Sequence, residues 1–259
     1  MPTKNDIEEA KAYLRKRLEA ETSMRNNLEK FMLEAASRIV EISYKYNIPP
    51  SLFRFSRNWQ LEKEINEVIS WLKTKIEHRM LILAIATHEE DEENITAYIT
   101  KENHGKTFSQ RNNIYCNRFK YELEGTIAAG LILGLAKEKL KETISSNLTH
   151  PYSNPVFKEA SKKNSSATRL VSKGISYGNG RTNSMFTALD KLTNYGVSQG
   201  WMKHWWNMGS EKGAKGFVIF RGSSYPCQTC DEAAMRIHDM SEPYPPLHLN
   251  CKCGMYFVY

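Results

Sequence analysis

Cysteine is scarce in this chain, at five among 259 residues, and four of the five fall after Pro226. Long apolar runs are missing too. The longest, Ile127 to Ala136 (IAAGLILGLA), is well short of the roughly 20 residues a membrane-spanning helix needs, so a buried helix is expected there and no membrane. The N-terminus, MPTKNDIEEAKAYLRKR, lacks the apolar core of a secretory signal, so an oxidising compartment is not expected and disulfides start at a disadvantage. No G-x-x-x-x-G-K-[ST], G-x-S-x-G or G-x-G-x-x-G occurs, and the glycines of GISYGNG stand at the wrong offsets, which removes the common phosphate-binding and nucleophile-elbow motifs. A strong charge of one sign is also lacking in the first half: residues 1–149 hold 23 Lys and Arg against 22 Asp and Glu, whereas residues 150–259 hold 13 against 7. The basic surplus belongs to the cysteine-bearing half, which admits an acidic or nucleic-acid partner and equally a plain solvated surface.

What is present is mostly helical pattern, and with 41% hydrophobic residues the chain can bury one substantial core or two modest ones. Apolar positions at helical spacing run from Asp6 to about Tyr46, clearest at Leu28, Met32, Ala35, Ile39 and Ile42, and Pro49–Pro50 stop them. A second helix is read on Leu61, Ile65, Val68, Leu72, Ile76 and Met80, capped by Ser56 or Asn58 and fading in the acidic residues 88–94. A third runs from near Ser109 toward Leu140, and its Gly125, Gly130 and Gly134 allow another element to approach its backbone. Residues 149–183 are rich in Ser, Asn, Gly, Pro and Lys without a period and read as a connector or mobile loop. A helix from about Ser184 to Trp206 follows, its Trp201, Trp205 and Trp206 walling a small core. GFVIFR (216–221) and the closing GMYFVY read as strands. The expected fold class is α+β: a helical region over 1–148, the connector over 149–183, and a small β-containing module over 184–259. Because its candidate ligands are all local, that module is expected to fold without residues 1–105.

The cysteine pairs lie between the two strands. Cys227 and Cys230 form C-x-x-C, Cys251 and Cys253 form C-x-C, and His248 precedes the second pair. This spacing suits a structural zinc ion, which takes four ligands where five candidates stand. If residues 251–253 are extended, Cys251 and Cys253 point to one side and four sulfurs close the shell; if the chain turns at Asn250, His248 can displace one of them. His238 is a weaker sixth, and Cys116 reads as a small buried apolar residue. His88, Glu89 and Glu90 followed by Pro226, Cys227 and Cys230 match the letters of a nucleobase-deaminase signature. The intervening stretch is too long for it, and Glu232 and Asp239 are ordinary loop carboxylates, so no enzyme is expected. Lys203, Lys212, Lys215, Arg221 and Lys252 are the candidates for a secondary DNA contact.

The order strand, C-x-x-C, variable loop, prolines, H-x-N-C-x-C, strand, carried by Cys227, Cys230, Pro246, His248, Asn250, Cys251 and Cys253, resembles the C-terminal module of the phage Mu protein F-like family of minor head proteins. IAAGLILGLAKEKLKETI is similar to that family's glycine-bearing helix. RTNSMFTALDKLTNYGVSQGW is similar to a helix that usually opens Arg-Thr-Glu, with Asn183 standing in the third place; residues 1–105 show no such likeness. The resemblance implies a structural protein of a tailed-phage or prophage virion, placed at the portal vertex of the head and in the host cytoplasm during assembly. Its implied partners are the portal protein, other head or connector proteins and the viral DNA being packaged or ejected. The chain ends directly after the closing strand, so no fused catalytic domain is expected.

Overall fold

The computed structural model describes residues 3–86, 89–103, 105–163, 184–234 and 236–259. Among them eight α-helices stand beside one small sheet: α1 Lys4–Lys45, α2 Trp59–Ile85, α3 Glu92–Thr100, α4 Phe108–Leu133, α5 Lys137–Ser146, α6 Pro155–Lys163, α7 Met185–Glu211 and α8 Gln228–Ala233. The α+β class read from the sequence holds. None of these helices is long and apolar enough to cross a membrane.

Local chemistry explains several of the helix ends. Asn58 Oδ1 accepts from the Gln60 and Leu61 amides and Ser184 Oγ from the Thr187 amide, each supplying an acceptor to an otherwise orphaned N–H at a helix start. The single helix expected from Ser109 to Leu140 is two. Gly134 adopts φ +70°, its amide bonds to the Leu131 carbonyl, and the Leu135 amide reaches back to the Gly130 carbonyl. Paired bonds of this kind with a left-handed glycine end a helix, and apolar periodicity on both sides of the break conceals it. Three further helices were not foreseen: α3 begins inside the acidic stretch where fading was expected, α6 occupies part of the supposed connector, and α8 lies in the segment between the strands. The remainder of that connector, 164–183, and with it Asn183, lies outside the described residues.

The described chain folds into two compact units. The first takes residues 1–26, 77–109 and 190–259; the second takes 27–76 and 110–189. Divisions between the units fall inside α1, α2 and α7, so the sequence divisions 1–148 and 184–259 each contribute residues to both units.

The second unit is helical. Leu28, Met32, Ala35 and Ile39 of α1, Leu61, Ile65, Leu72 and Ile76 of α2, and Phe119, Leu123 and Ile127 of α4 are buried, as their spacing requires. Each large side chain so buried contributes about 1.5–3 kcal/mol. Close approach to the glycine-bearing helix also holds: Leu140 of α5 packs on Gly130 and Phe157 of α6 on Gly125. Cys116 is fully buried, its thiol donating to Asn112 Oδ1 at 3.3 Å.

The first unit contains the sheet, in the order β2–β1–β3, with β1 Gly216–Phe220 antiparallel to both β2 Ile237–Asp239 and β3 Gly254–Val258. Phe217 pairs with Phe257 and Ile219 with Met255, so alternate side chains of β1 and β3 enter one core. Trp205 packs in that core and donates from Nε1 to the Met255 carbonyl at 2.9 Å, while Trp201 donates to the Leu83 carbonyl at 2.8 Å. Both are buried, as a core-walling role predicts; Trp206 is only partly buried and stacks on Tyr244.

Within this unit α7 meets the end of α2 at its glycines. A Cβ on Gly200 would stand 2.7 Å from the Ala84 carbonyl oxygen and 2.8 Å from Ala84 Cβ. In an open helix Gly→Ala gains about 1 kcal/mol of propensity. Here the clash is with backbone, so Gly200→Ala should instead destabilise the protein by about 1–3 kcal/mol, measured as a lower midpoint in thermal or urea unfolding.

Candidate metal centre

Residues 221–253 connect β1 to β3, and their course brings the separated donors together. Cys227 stands directly before α8 and Cys230 in its first turn, so the helix sets the spacing of this pair. Further on, the Cys251 amide bonds to the His248 carbonyl at 3.1 Å, closing a tight turn in which Asn250 takes φ +66°. Asparagine tolerates that left-handed conformation better than most residues. The turn directs His248 toward α8, and Cys253 abuts the first residue of β3. The two courses considered for residues 248–253 therefore do not exclude each other: the chain turns at Asn250, and Cys251 and Cys253 still share one neighbourhood.

None of the five cysteines is joined in a disulfide. Two groups of donors lie within 4.8 Å of one another, Cys227 with Cys230 and His248, and Cys230 with Cys251 and Cys253. Cys230 belongs to both. Its sulfur is 3.0 Å from His248 Nε2 and 3.9 Å from Cys251 Sγ, and Cys227 Sγ is 3.2 Å from the same imidazole nitrogen. Tetrahedral zinc, with Zn–S near 2.3 Å and Zn–N near 2.0 Å, spaces its donors by about 3.5–3.8 Å. The cluster is of that size and could hold a metal ion. His248 is oriented for it: Nδ1 faces the Leu249 carbonyl at 2.8 Å, so the neutral ring carries its proton there and turns the Nε2 lone pair toward the sulfurs.

Cys230, Cys251 and Cys253 are 3, 3 and 2% exposed and belong to the same core as Trp205, Phe217 and Phe257. Burial pushes the Cys230 thiol up to about 12. In the Cys251–Cys253 pair, the hydrogen bond between the two thiols holds Cys251 down to about 5 and drives Cys253 upward. Cys227 is lowered, first by the Cys230 amide and thiol and then by His248. Burial pulls His248 down, yet the Leu249 carbonyl and the neighbouring thiolates outweigh it and leave it raised. Without a metal, then, Cys230 and Cys253 keep their protons at neutral pH. Metal uptake must expel such protons, and affinity falls as pH falls.

His238 stands apart from both groups. It is buried, stacks on Phe217 at 5.0 Å, and has its ring nitrogens at the Ala233 carbonyl and Glu242. The loop carboxylates have partners of their own: Glu232 accepts from Gln228, and Asp239 accepts from the Ser241 amide and hydroxyl. Of the deaminase-like letters, His88 lies outside the described residues. Glu90 and Asp91 face His204 of α7, at 4.0 and 2.6 Å, and among the described residues no donor group joins them to the cysteines.

The five basic candidates do not gather on one face. Lys215 and Arg221 flank β1 at opposite ends. Arg221 is bound to Asp231 and to the Ser223 and Tyr225 carbonyls, and Lys252 is paired with the buried carboxylate of Glu21. Lys203 sits over the Trp206 ring at 4.7 Å and the Tyr98 ring at 5.8 Å. Only Lys212 and Lys215 are exposed. Sequence position alone could not reveal that Arg221 and Lys252 have acidic partners, since Glu21 is more than two hundred residues from Lys252.

The module also makes contacts with α1. Tyr13 of α1 stacks on Trp205 at 4.3 Å and donates to the Trp201 carbonyl, and Arg17 donates to the Cys253 carbonyl. No family, no curated protein and no solved structure matches the chain.

Since Cys230 is common to both donor groups, Cys230→Ser should abolish tight metal binding, whereas Cys227→Ser leaves the Cys230, Cys251, Cys253 group intact and should weaken it less. Metal content by inductively coupled plasma mass spectrometry, with affinity by chelator competition, ranks the two. A Cys230→Ser protein that keeps its metal at full affinity would refute the centre.

Proposed function

We propose that the cluster is a structural zinc site and that the chain is a structural minor head protein of a tailed phage or prophage, held at the portal vertex. Cys227, Cys230, His248, Cys251 and Cys253 supply five donors for four positions, so the shell can close without a water ligand. Bound zinc would supply cross-linking, tying α8 and the turn at Asn250 to the start of β3. The burial of three sulfurs and the partnered state of Glu232 and Asp239 support a structural role over a catalytic one.

The observation that carries the assignment to a head protein is the arrangement of the tail: a strand, C-x-x-C, and a turn built on H-x-N-C-x-C that leads straight into the closing strand. It is supported by the same residues that resemble the Mu F-like module. A role in head assembly and in DNA packaging or ejection follows from that likeness. DNA, if touched, is met by Lys212 and Lys215, since Arg221 and Lys252 have internal partners.

Co-expression with the portal protein encoded beside this chain should give a complex that survives size exclusion, and the purified chain should carry about one zinc per molecule. The reading is overturned by a chain that never associates with head or portal components and is absent from the virion. Hydrolysis or deamination of nucleic acid by the isolated protein, lost on a single carboxylate substitution, would move the assignment to an enzyme.

A further inference from the structure

The Cys251–Cys253 arm of the donor cluster is held from α1. Arg17 is 0% exposed, and its Nη1 donates to the Cys253 carbonyl oxygen at 2.9 Å. One helical turn on, Glu21 places Oε1 3.1 Å from Arg17 Nε, while its Oε2 is paired with Lys252, the residue between the two cysteines. The backbone of this arm is thus gripped by Arg17 and its side chain by Glu21. Neither Arg17 Nε nor Nη2 finds a hydrogen-bond partner, so the contact with Glu21 is one of charge. The directed bond from Nη1 goes to the carbonyl of a candidate ligand.

A fully buried guanidinium is costly, and an apolar side chain of similar volume would fill the same space more cheaply. Packing does not explain it. Two things a cation supplies here do: a fixed donor that sets the orientation of the Cys253 peptide, and, with Glu21 balanced by Lys252, one net positive charge beside a centre whose three or four thiolates outweigh the charge of a divalent ion. Partners that orient metal ligands in this way typically account for 10–100-fold in metal affinity.

We infer that Arg17 is a positioning residue of the metal centre, holding the Cys251–Cys253 arm in its ligating course and offsetting thiolate charge, so that α1 and the bound ion are energetically coupled. This inference rests on the zinc reading given above.

The test uses the full chain. Zinc affinity, measured by competition with a chromophoric chelator, should fall about 10–100-fold in Arg17→Met. Arg17→Lys, which keeps the charge and one donor, should recover most of the loss. With Co2+ in place of zinc, the thiolate-to-cobalt and ligand-field absorption should change in Arg17→Met and return in Arg17→Lys, which a purely packing role would not produce. Coupling is reciprocal, so chelating the metal from the wild-type protein should speed amide exchange in Leu14 to Glu21 as well as in residues 227–253. Unchanged affinity and an unchanged cobalt spectrum in Arg17→Met overturn the proposal. So does chelation that loosens only residues 227–253, a measurement that decides the matter even where the variant fails to fold. A wild-type chain that takes up neither zinc nor cobalt overturns the metal reading itself, and is recognised before any variant is made.

Discussion

Four sulfurs and an imidazole crowd around the first turn of a six-residue helix, in a core they share with tryptophan and phenylalanine. Thiols can be buried as weak polar groups, but thiolates cannot without a counter-charge. The connection from β1 to β3 contributes few large apolar side chains of its own to that core. The course of residues 221–253 therefore depends on what joins the donors. The donors in turn depend on a tight turn at Asn250 and on an α-helix far away in the sequence.

That dependence reaches through the first unit. β1 is the central strand, β3 follows immediately after the last cysteine, and Trp205 is bound to the carbonyl of Met255. An error in the course of residues 248–253 would displace β3, and with it the partners of Phe217 and Ile219. The charged groups follow the same logic. Glu21 pairs with both the buried Arg17 and the half-buried Lys252, so its removal would leave two cations without their counter-charge, the situation in which buried charges become expensive.

The long helices, the two longer strands and the gathering of the cysteines were legible in the sequence, because each is written in residues close together. Leu61 to Met80 repeat at helical spacing, GFVIF alternates, and Cys227 and Cys230 stand a helical turn apart. Long-range relations were not legible. A period of apolar residues passes through Gly134 unchanged, since only φ distinguishes a helix end there from its interior. The short α3 and β2 carry too few residues to show a period against acidic or loop-like neighbours. Arg221 and Lys252 looked like surface cations because charge is visible in a sequence and its partner is not. Arg17 was missed because its charge was taken for a surface residue, although the buried face of α1 stepped back from Leu28 and Met24 lands on Arg17 and not on the exposed Arg15.

The first unit joins residues 1–26 to residues 190–259, so two segments far apart in the sequence are needed to complete it. A ribosome delivers those segments in order. The opening turns of α1, with Tyr13, Arg17 and Glu21 ready to be covered, emerge before the segments that cover them exist, and remain uncovered until the final strand has been made. The most local part of the fold, a single long helix, thus waits on its most distant contacts. For a chain of this topology synthesis and folding cannot proceed in step: the first unit closes only after residues 190–259 have been made.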